Sequence, residues 1–209
     1  MTEKFVQYGC GQGGPATWVN YDASPTLRFE RIPLIGRLYT RNSQRFADTV
    51  RYGDIVAGLP EPDASADAVY CSHVLEHLAL EDLRIALGNT IRLLKPGGMF
   101  RLVVPDMEFE ARRYLDNPDA DAVSQFMDAT YLGSRRRART LRQKLTSQFG
   151  NSSHLWMWDY KGLAQELKHA GFEDIRRASH GDASMAAFAD VEDPGRWANS
   201  LGIECRKPR

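Results

Sequence analysis

The sequence is poor in cysteine, carries no surplus of charge, and has no long apolar run and no repeat. Its three cysteines, Cys10, Cys71 and Cys205, are odd in number and far apart. That argues against a disulfide framework and matches no zinc-ligand spacing; no metal site is expected. Lys plus Arg and Asp plus Glu are balanced at 27 each. No global field therefore draws the chain to nucleic acid or to a membrane surface, and no nucleic-acid partner is expected. There is no uninterrupted apolar stretch of about 18 residues and no signal-peptide pattern at the N-terminus, so no transmembrane segment is expected and cytoplasmic is the default location. What is present suits an ordinary folded core: 43% of the 209 residues are hydrophobic and 26% charged, the range of soluble globular chains. No linker is long enough to divide domains, so 1–209 is expected to be one domain.

Strand and turn alternate through the first half. Strands are expected at about 4–8, 18–21, 50–52, 68–72 and 99–104, with later ones at 174–178 and 201–205. Residues 99–104 are apolar apart from Arg101, as befits a strand covered on both faces of a parallel sheet. Leu83, Leu87, Ile91 and Leu94 recur at helical spacing, with Glu81 and Asp82 at the positive end and Lys95-Pro96-Gly97-Gly98 as the stop. Residues 107–149 read as mostly helical. Asp159 is a candidate cap for a helix carrying Leu163, Leu167 and Ala170 and ending at Gly171. Strands alternating with helices predict an α/β, doubly wound sandwich.

The most informative stretch is Gln7-Tyr8-Gly9-Cys10-Gly11-Gln12-Gly13, followed by Asn20-Tyr21-Asp22. Glycines let a backbone turn sharply and lie close against a ligand. A carboxylate at the tip of the next strand can accept both hydroxyls of a ribose. Glycines first and acid second is how an α/β sheet holds a nucleoside cofactor. A dinucleotide site places its acid about 20 residues on, after a full helix. The interval from Gly9 to Asp22 is shorter and leaves no room for that helix, which opposes a nicotinamide oxidoreductase.

Taken together, the glycine loop, Asn20-Tyr21-Asp22, Gly53-Asp54-Ile55 with Leu59-Pro60, the block from Asp67 to Leu78 that includes Ser72-His73-Val74-Leu75-Glu76-His77, and Leu93-Leu94-Lys95-Pro96-Gly97-Gly98 resemble the class I S-adenosylmethionine-dependent methyltransferases, in a branch with a shortened first crossover. Residues 4–106 carry the resemblance and 154–207 carry it more weakly. It implies a mostly parallel seven-stranded Rossmann-like sheet of order 3-2-1-4-5-7-6 with strand seven antiparallel, a truncated first helix and a helical insertion, 107–153, after strand five. It implies S-adenosyl-L-methionine as cofactor. Tyr8, Gly9, Cys10 and Gly11 would approach its methionine portion, Asp22 the ribose, Asp54 and Ile55 the adenine, and Ser72 and His73 the methionine end and methyl. Two departures stand out. The acid that usually opens the glycine loop is Gln7, which hydrogen-bonds without charge. Too few residues lie between Tyr8 and Trp18 for the dozen or so that a parallel crossover needs. Another segment must cover the bared sheet face, and 26–46 is the candidate, doubling as a lid.

The catalytic candidates are His73, Asp106 just past strand five, and His154 within His154-Leu155-Trp156-Met157-Trp158. Aromatic rings beside His154 could line an acceptor pocket with the histidine as base. Cys10 reads as a packing residue. A run of Arg135, Arg136, Arg137, Arg139, Arg142 and Lys144, with Leu141, Leu145 and Phe149 every four residues, reads as a basic amphipathic helix. Such a helix is either a solvated face or a docking face for an anionic acceptor. The leading expectation is a methyltransferase acting on O or N of a small-molecule or carbohydrate-like, glycan-type acceptor. Two alternatives remain: an inactive protein that only binds the cofactor, to which Gln7 lends support, and a zinc hydrolase using His73 and His77 of the H-x-x-E-H string.

Overall fold

The structure, a computed structural model, describes residues 3–34, 36, 44–135 and 153–209. The basic run beyond Arg135, the 141–149 apolar pattern and much of the 26–46 segment lie outside the described residues. In chain order the elements are β1 (Phe5–Tyr8), β2 (Val19–Asp22), α1 (Pro25–Glu30), β3 (Val50–Tyr52), β4 (Ala66–Ser72), α2 (Leu80–Leu93), β5 (Leu94–Pro105), α3 (Met107–Leu115), α4 (Ala122–Ala129), α5 (Tyr160–His169), β6 (Glu173–Ala178), α6 (Pro194–Trp197) and β7 (Ser200–Arg206). The strands form one sheet of order β3-β2-β1-β4-β5-β7-β6. β1 to β5 pair in parallel, and β7 runs antiparallel to both β5 and β6. This is the order and direction implied by the resemblance. It sends the carboxyl ends of β1, β2, β3 and β4 to one edge, where open α/β sheets bind ligands.

Local chemistry explains most of the element ends. Asp159 caps α5 with Oδ1 accepting from the Gly162 N–H at 2.8 Å, and Asp106 caps α3 in the same way through Glu108 N–H at 2.9 Å. Ser24 accepts from Thr26 N–H, and Pro25 opens α1, where a missing N–H costs nothing. The widest shift of a strand boundary from the sequence pattern is at β5. β5 starts directly at Leu94 rather than after the Gly97-Gly98 turn, because buried Leu94 pairs opposite Ala66 before the register shifts. The turn itself is tied into the sheet: Lys207 N–H donates to the Gly98 carbonyl at 2.9 Å and Gly97 N–H to the Lys207 carbonyl at 3.0 Å.

The two faces of the sheet are covered differently. On one, α2 and α5 bury Leu83, Ala86, Leu87, Leu163 and Leu167 in the large core that includes Val69, Cys71, Leu102 and Ile203. On the other, the short β1–β2 connection leaves Ala68, Tyr70 and Val103 without a crossover helix above them. The described residues of 26–46 are not part of this cover, and 35 and 37–43 lie outside the described residues. The cover is Trp18 together with Phe188 and Trp197 from the segment between β6 and β7. The described part of 26–46 packs elsewhere, with Leu27, Phe46 and Val50 forming a small cluster against Cys10. The physical reason lies in two large aromatic side chains, each worth roughly 1.5–3 kcal/mol when buried, and in one buried charged residue of β5.

That residue is Arg101, fully buried in β5. Its Nε donates to Glu192 at 2.5 Å, its Nη1 to Asp182 and Glu204 at 3.0 Å each, and its Nη2 to the Ser179 carbonyl at 2.7 Å. The guanidinium also lies 4.6 Å from the Trp197 ring centroid. The sequence therefore places a cation at the middle of a buried face, and the segment between β6 and β7 folds over it to supply acids, carbonyl and ring together. Removing Arg101 takes the cation from buried Glu192, while Arg176 still pairs with Asp182 and Glu204; breaking a buried pair costs about 3–5 kcal/mol. Arg101→Leu is accordingly expected to lower the unfolding free energy by about that much in guanidinium titrations. A loss well under about 1 kcal/mol would show that the aromatic cover holds without it.

Candidate active site

The glycine loop is built by two backbone constraints. Gly9 and Gly11 both have φ +68, and a Cβ on Gly9 would lie 2.1 Å from Val74 Cγ2. The loop is therefore pressed against the turn that follows β4. A Cβ on Gly11 would meet nothing within 4 Å, so this side of the loop faces open space. Cys10 N–H donates to the Tyr21 carbonyl at 3.1 Å, which staples the loop to β2. Burial pushes the Cys10 thiol up to about 12, and its side chain packs on the Leu27 cluster, as befits a packing residue and not a nucleophile. Tyr8 presents only backbone here; its hydroxyl lies inside the core, 3.2 Å from Thr90 Oγ1.

Asp22 stands at the end of β2 behind this loop. Oδ2 accepts from Gly11 N–H at 3.0 Å and Oδ1 from Ser24 N–H at 2.8 Å. Each oxygen keeps a second lone pair, so the carboxylate that shapes the loop can still accept hydroxyls. Burial raises its pKa, and the two N–H donors work against that rise. Asp54 accepts from Val56 N–H at 2.9 Å, and the Ile55 and Val56 carbonyls accept from Asn89 of α2 at 2.7 and 3.1 Å. Gln7, where an acid is usual, donates to Asn20 Oδ1, and Asn20 Nδ2 donates in turn to the Pro15 and Trp18 carbonyls at 3.0 Å each.

Between β1 and β4 lies a cavity of about 340 Å³, walled by Gly9, Cys10, Gly14, Ser72, Glu192 and Arg196 among others. Its size is in the range of small-molecule sites. Asp22, Asp54 and Ile55 do not line it. Arg196 is one of the wall residues that sequence reasoning missed. Its Nε donates to Ser72 Oγ at 2.9 Å and its Nη2 to the Ser72 carbonyl at 2.7 Å. Nothing local in Pro194-Gly195-Arg196-Trp197 signals this, because the contact depends on Arg101 drawing that segment onto the sheet. The residues present fit an adenosyl sulfonium cofactor on three counts: the open side of Gly11, the remaining acceptor capacity of Asp22, and the cavity at the edge of β1 and β4.

His73 sits just past β4 with φ +54, an uncommon conformation for a residue with a Cβ, and such conformations gather at functional sites. Its ring is held at both nitrogens: Nδ1 is 3.1 Å from Glu76 Oε1 and Nε2 is 2.8 Å from the Arg196 carbonyl. The structure thus does not pair His73 with His77. Instead it brings His77 to His154, with ring centroids 5.0 Å apart, and sets Tyr131 against His154 at 5.1 Å. The cause is one carbonyl: Glu76 O accepts from both Leu155 N–H at 2.8 Å and Trp156 N–H at 3.1 Å, docking the later segment on the turn after β4. Burial holds the His154 imidazole below its ordinary range, against the pull of the Glu76 carboxylate. Asp106 is not part of this group; besides capping α3 it lies 3.8 Å from Arg177.

The sheet order and the loop, acid and cavity at its carboxyl edge define the Rossmann-like class I methyltransferase architecture. The chain belongs to the methyltransferase-domain family, whose model matches residues 2–177; it is an S-adenosylmethionine-dependent methyltransferase, and an enzyme. No curated protein is a significant sequence match. Solved structures share the fold at low identity. A Thermotoga maritima SAM-dependent methyltransferase is 20% identical with a TM-score of 0.52, covering 99% of this chain and 83% of that one. A Haloferax volcanii methyltransferase solved with the Trm112 methyltransferase activator is 18% identical, TM-score 0.51, with the same coverages. One from Archaeoglobus fulgidus is 14% identical, TM-score 0.50, covering 98% and 86%. Among the described residues no helix is long and apolar enough to cross a membrane.

The loop geometry makes a direct prediction. Gly9→Ala meets both a left-handed backbone, costing roughly 1–2 kcal/mol, and the Val74 side chain. Melting temperature and cofactor affinity by calorimetry are both expected to fall, and Gly9→Ala with Val74→Ala is expected to recover part of the loss. Unchanged affinity in the single variant would show that the loop tolerates the shift.

Proposed function

We propose that the enzyme transfers a methyl group to an oxygen or nitrogen of a small-molecule or carbohydrate-like acceptor. The cofactor supplies the methyl already activated by its sulfonium charge. The work left to the chain is to align the acceptor and to keep its nucleophilic form, and alignment is worth up to about 7–11 kcal/mol in favourable intramolecular cases. Gly9, Cys10 and Gly11 present the loop backbone, Asp22 takes the ribose hydroxyls, and Asp54 and Ile55 take the adenine side. Ser72 and His73 lie toward the methionine end, where Arg196 places a cation on the cavity wall.

The observation that carries the acceptor side is the meeting of His77, His154 and Tyr131 beside the strained His73, with Leu155 and Trp156 exposed next to them. Polar groups bordered by apolar and aromatic surface are what a small-molecule subsite needs. His154 is the acceptor-side residue. Asp106 contributes through α3, whose first turn it caps, rather than by meeting the histidines.

Calorimetry with S-adenosylmethionine and its demethylated product tests the cofactor half: Asp22→Ala should weaken both at least about tenfold, a loss of roughly 1.4 kcal/mol, and equal affinities would refute the ribose role. Labelled-methyl transfer across hydroxylated, amine and sugar-phosphate acceptors tests the other half. Turnover confined to protein or nucleic acid would overturn it.

A further inference from the structure

We propose that Glu76, His77 and His154 form a binding site for a divalent first-row transition-metal ion. One donor atom from each lies within 4.8 Å of the others. Donors around one ion at bond lengths of about 2.0–2.1 Å sit roughly 3–3.5 Å apart, so side-chain shifts of about an ångström close the site. Two independent features point to a ligand. Glu76 is 1% exposed, and its Oε2 is buried with no hydrogen-bond partner among the described residues. The Nδ1 of His154 is likewise buried and unpartnered. A buried carboxylate oxygen and a buried imidazole nitrogen left bare in one cluster are costly for a fold, and a cation held between these residues would offset that cost.

The surroundings hold these groups as an outer shell does. The other oxygen of Glu76 meets His73 Nδ1 at 3.1 Å, and His73 is anchored in turn by the Arg196 carbonyl. His77 Nδ1 donates to the Ser153 carbonyl at 3.1 Å, which directs the Nε2 lone pair to the ion. Metal-bound histidines almost always carry such a second hydrogen bond. Two imidazoles and one carboxylate suit zinc, iron, cobalt or manganese rather than calcium. Three protein ligands leave a position for water or for an acceptor oxygen or nitrogen. The proposal goes beyond the methyl-transfer reading, since the ion needs no acceptor to bind, and it gives His154 the role of ligand instead of base. It also separates the site from the H-x-x-E-H reading, in which His73 and His77 were the ligands.

The test uses the full chain, stripped of metal and titrated with Co²⁺, followed by visible absorbance and by metal content after dialysis. One equivalent is expected, with d–d absorption. His154→Ala is expected to bind at least tenfold more weakly, as is Glu76→Gln, which keeps the shape of the side chain and its contact with His73. His169→Ala, on exposed α5, should bind as the parent does. Circular dichroism and cofactor calorimetry check folding of each variant separately, so failure of cofactor binding is distinguished from failure of the metal site. Absence of Co²⁺ after dialysis of the parent, or equal uptake by parent and both ligand variants, overturns the proposal.

Discussion

A buried guanidinium organises the half of this molecule that local pattern leaves open. Arg101 occupies the middle of β5, where an apolar side chain would have sufficed for the strand. Its donors must be satisfied away from water, since an unpaired buried cation costs several kcal/mol. The segment between β6 and β7 supplies Asp182, Glu192 and the Ser179 carbonyl, β7 supplies Glu204, and Trp197 covers the cation's face. Satisfying that one charge brings Phe188 and Trp197 over the sheet and carries Arg196 to Ser72. The cavity wall at the carboxyl edge is thus a consequence of charge burial on β5. The missing first helix and the buried arginine belong to one solution: a face without a crossover helix acquires a cover held by ions.

At the histidine group the organising contact is smaller. The Glu76 carbonyl takes two backbone N–H groups from Leu155 and Trp156. This joins the turn after β4 to a segment far along the chain and sets His154 against His77. Through the Glu76 side chain the same turn reaches His73, and through His73 it reaches Arg196. The cavity at the edge of β1 and β4 and the histidine group therefore share a frame of hydrogen bonds.

Much of the scaffold was legible. Residues 50–52 are strand as read, and the first two strands differ from their expected bounds by a residue at one or both ends, because alternation and flanking glycines report backbone state directly. Asp159 as a cap and Leu163 and Leu167 as the buried face of α5 were legible for the same local reason. The sheet order came with family resemblance, since no periodicity encodes which strands become neighbours. The described cover of the bared face was not legible. The 26–46 segment has apolar residues enough, but coverage was decided by which segment could also pair with Arg101, and acids far apart in sequence such as Asp182, Glu192 and Glu204 carry no mark of a common partner.

The same division holds at the site. Taken alone, the chain determined a glycine loop, a carboxylate after the second strand and histidines after the fourth, because φ requirements and residue chemistry are properties of short stretches. Only the tertiary structure decided that His73 is pinned by a carbonyl of α6, that His77 meets His154, and that Arg196 joins Ser72. Those pairings bridge long loops, and their energies exist only once the sheet has brought the ends together and excluded the water that would otherwise satisfy each group separately.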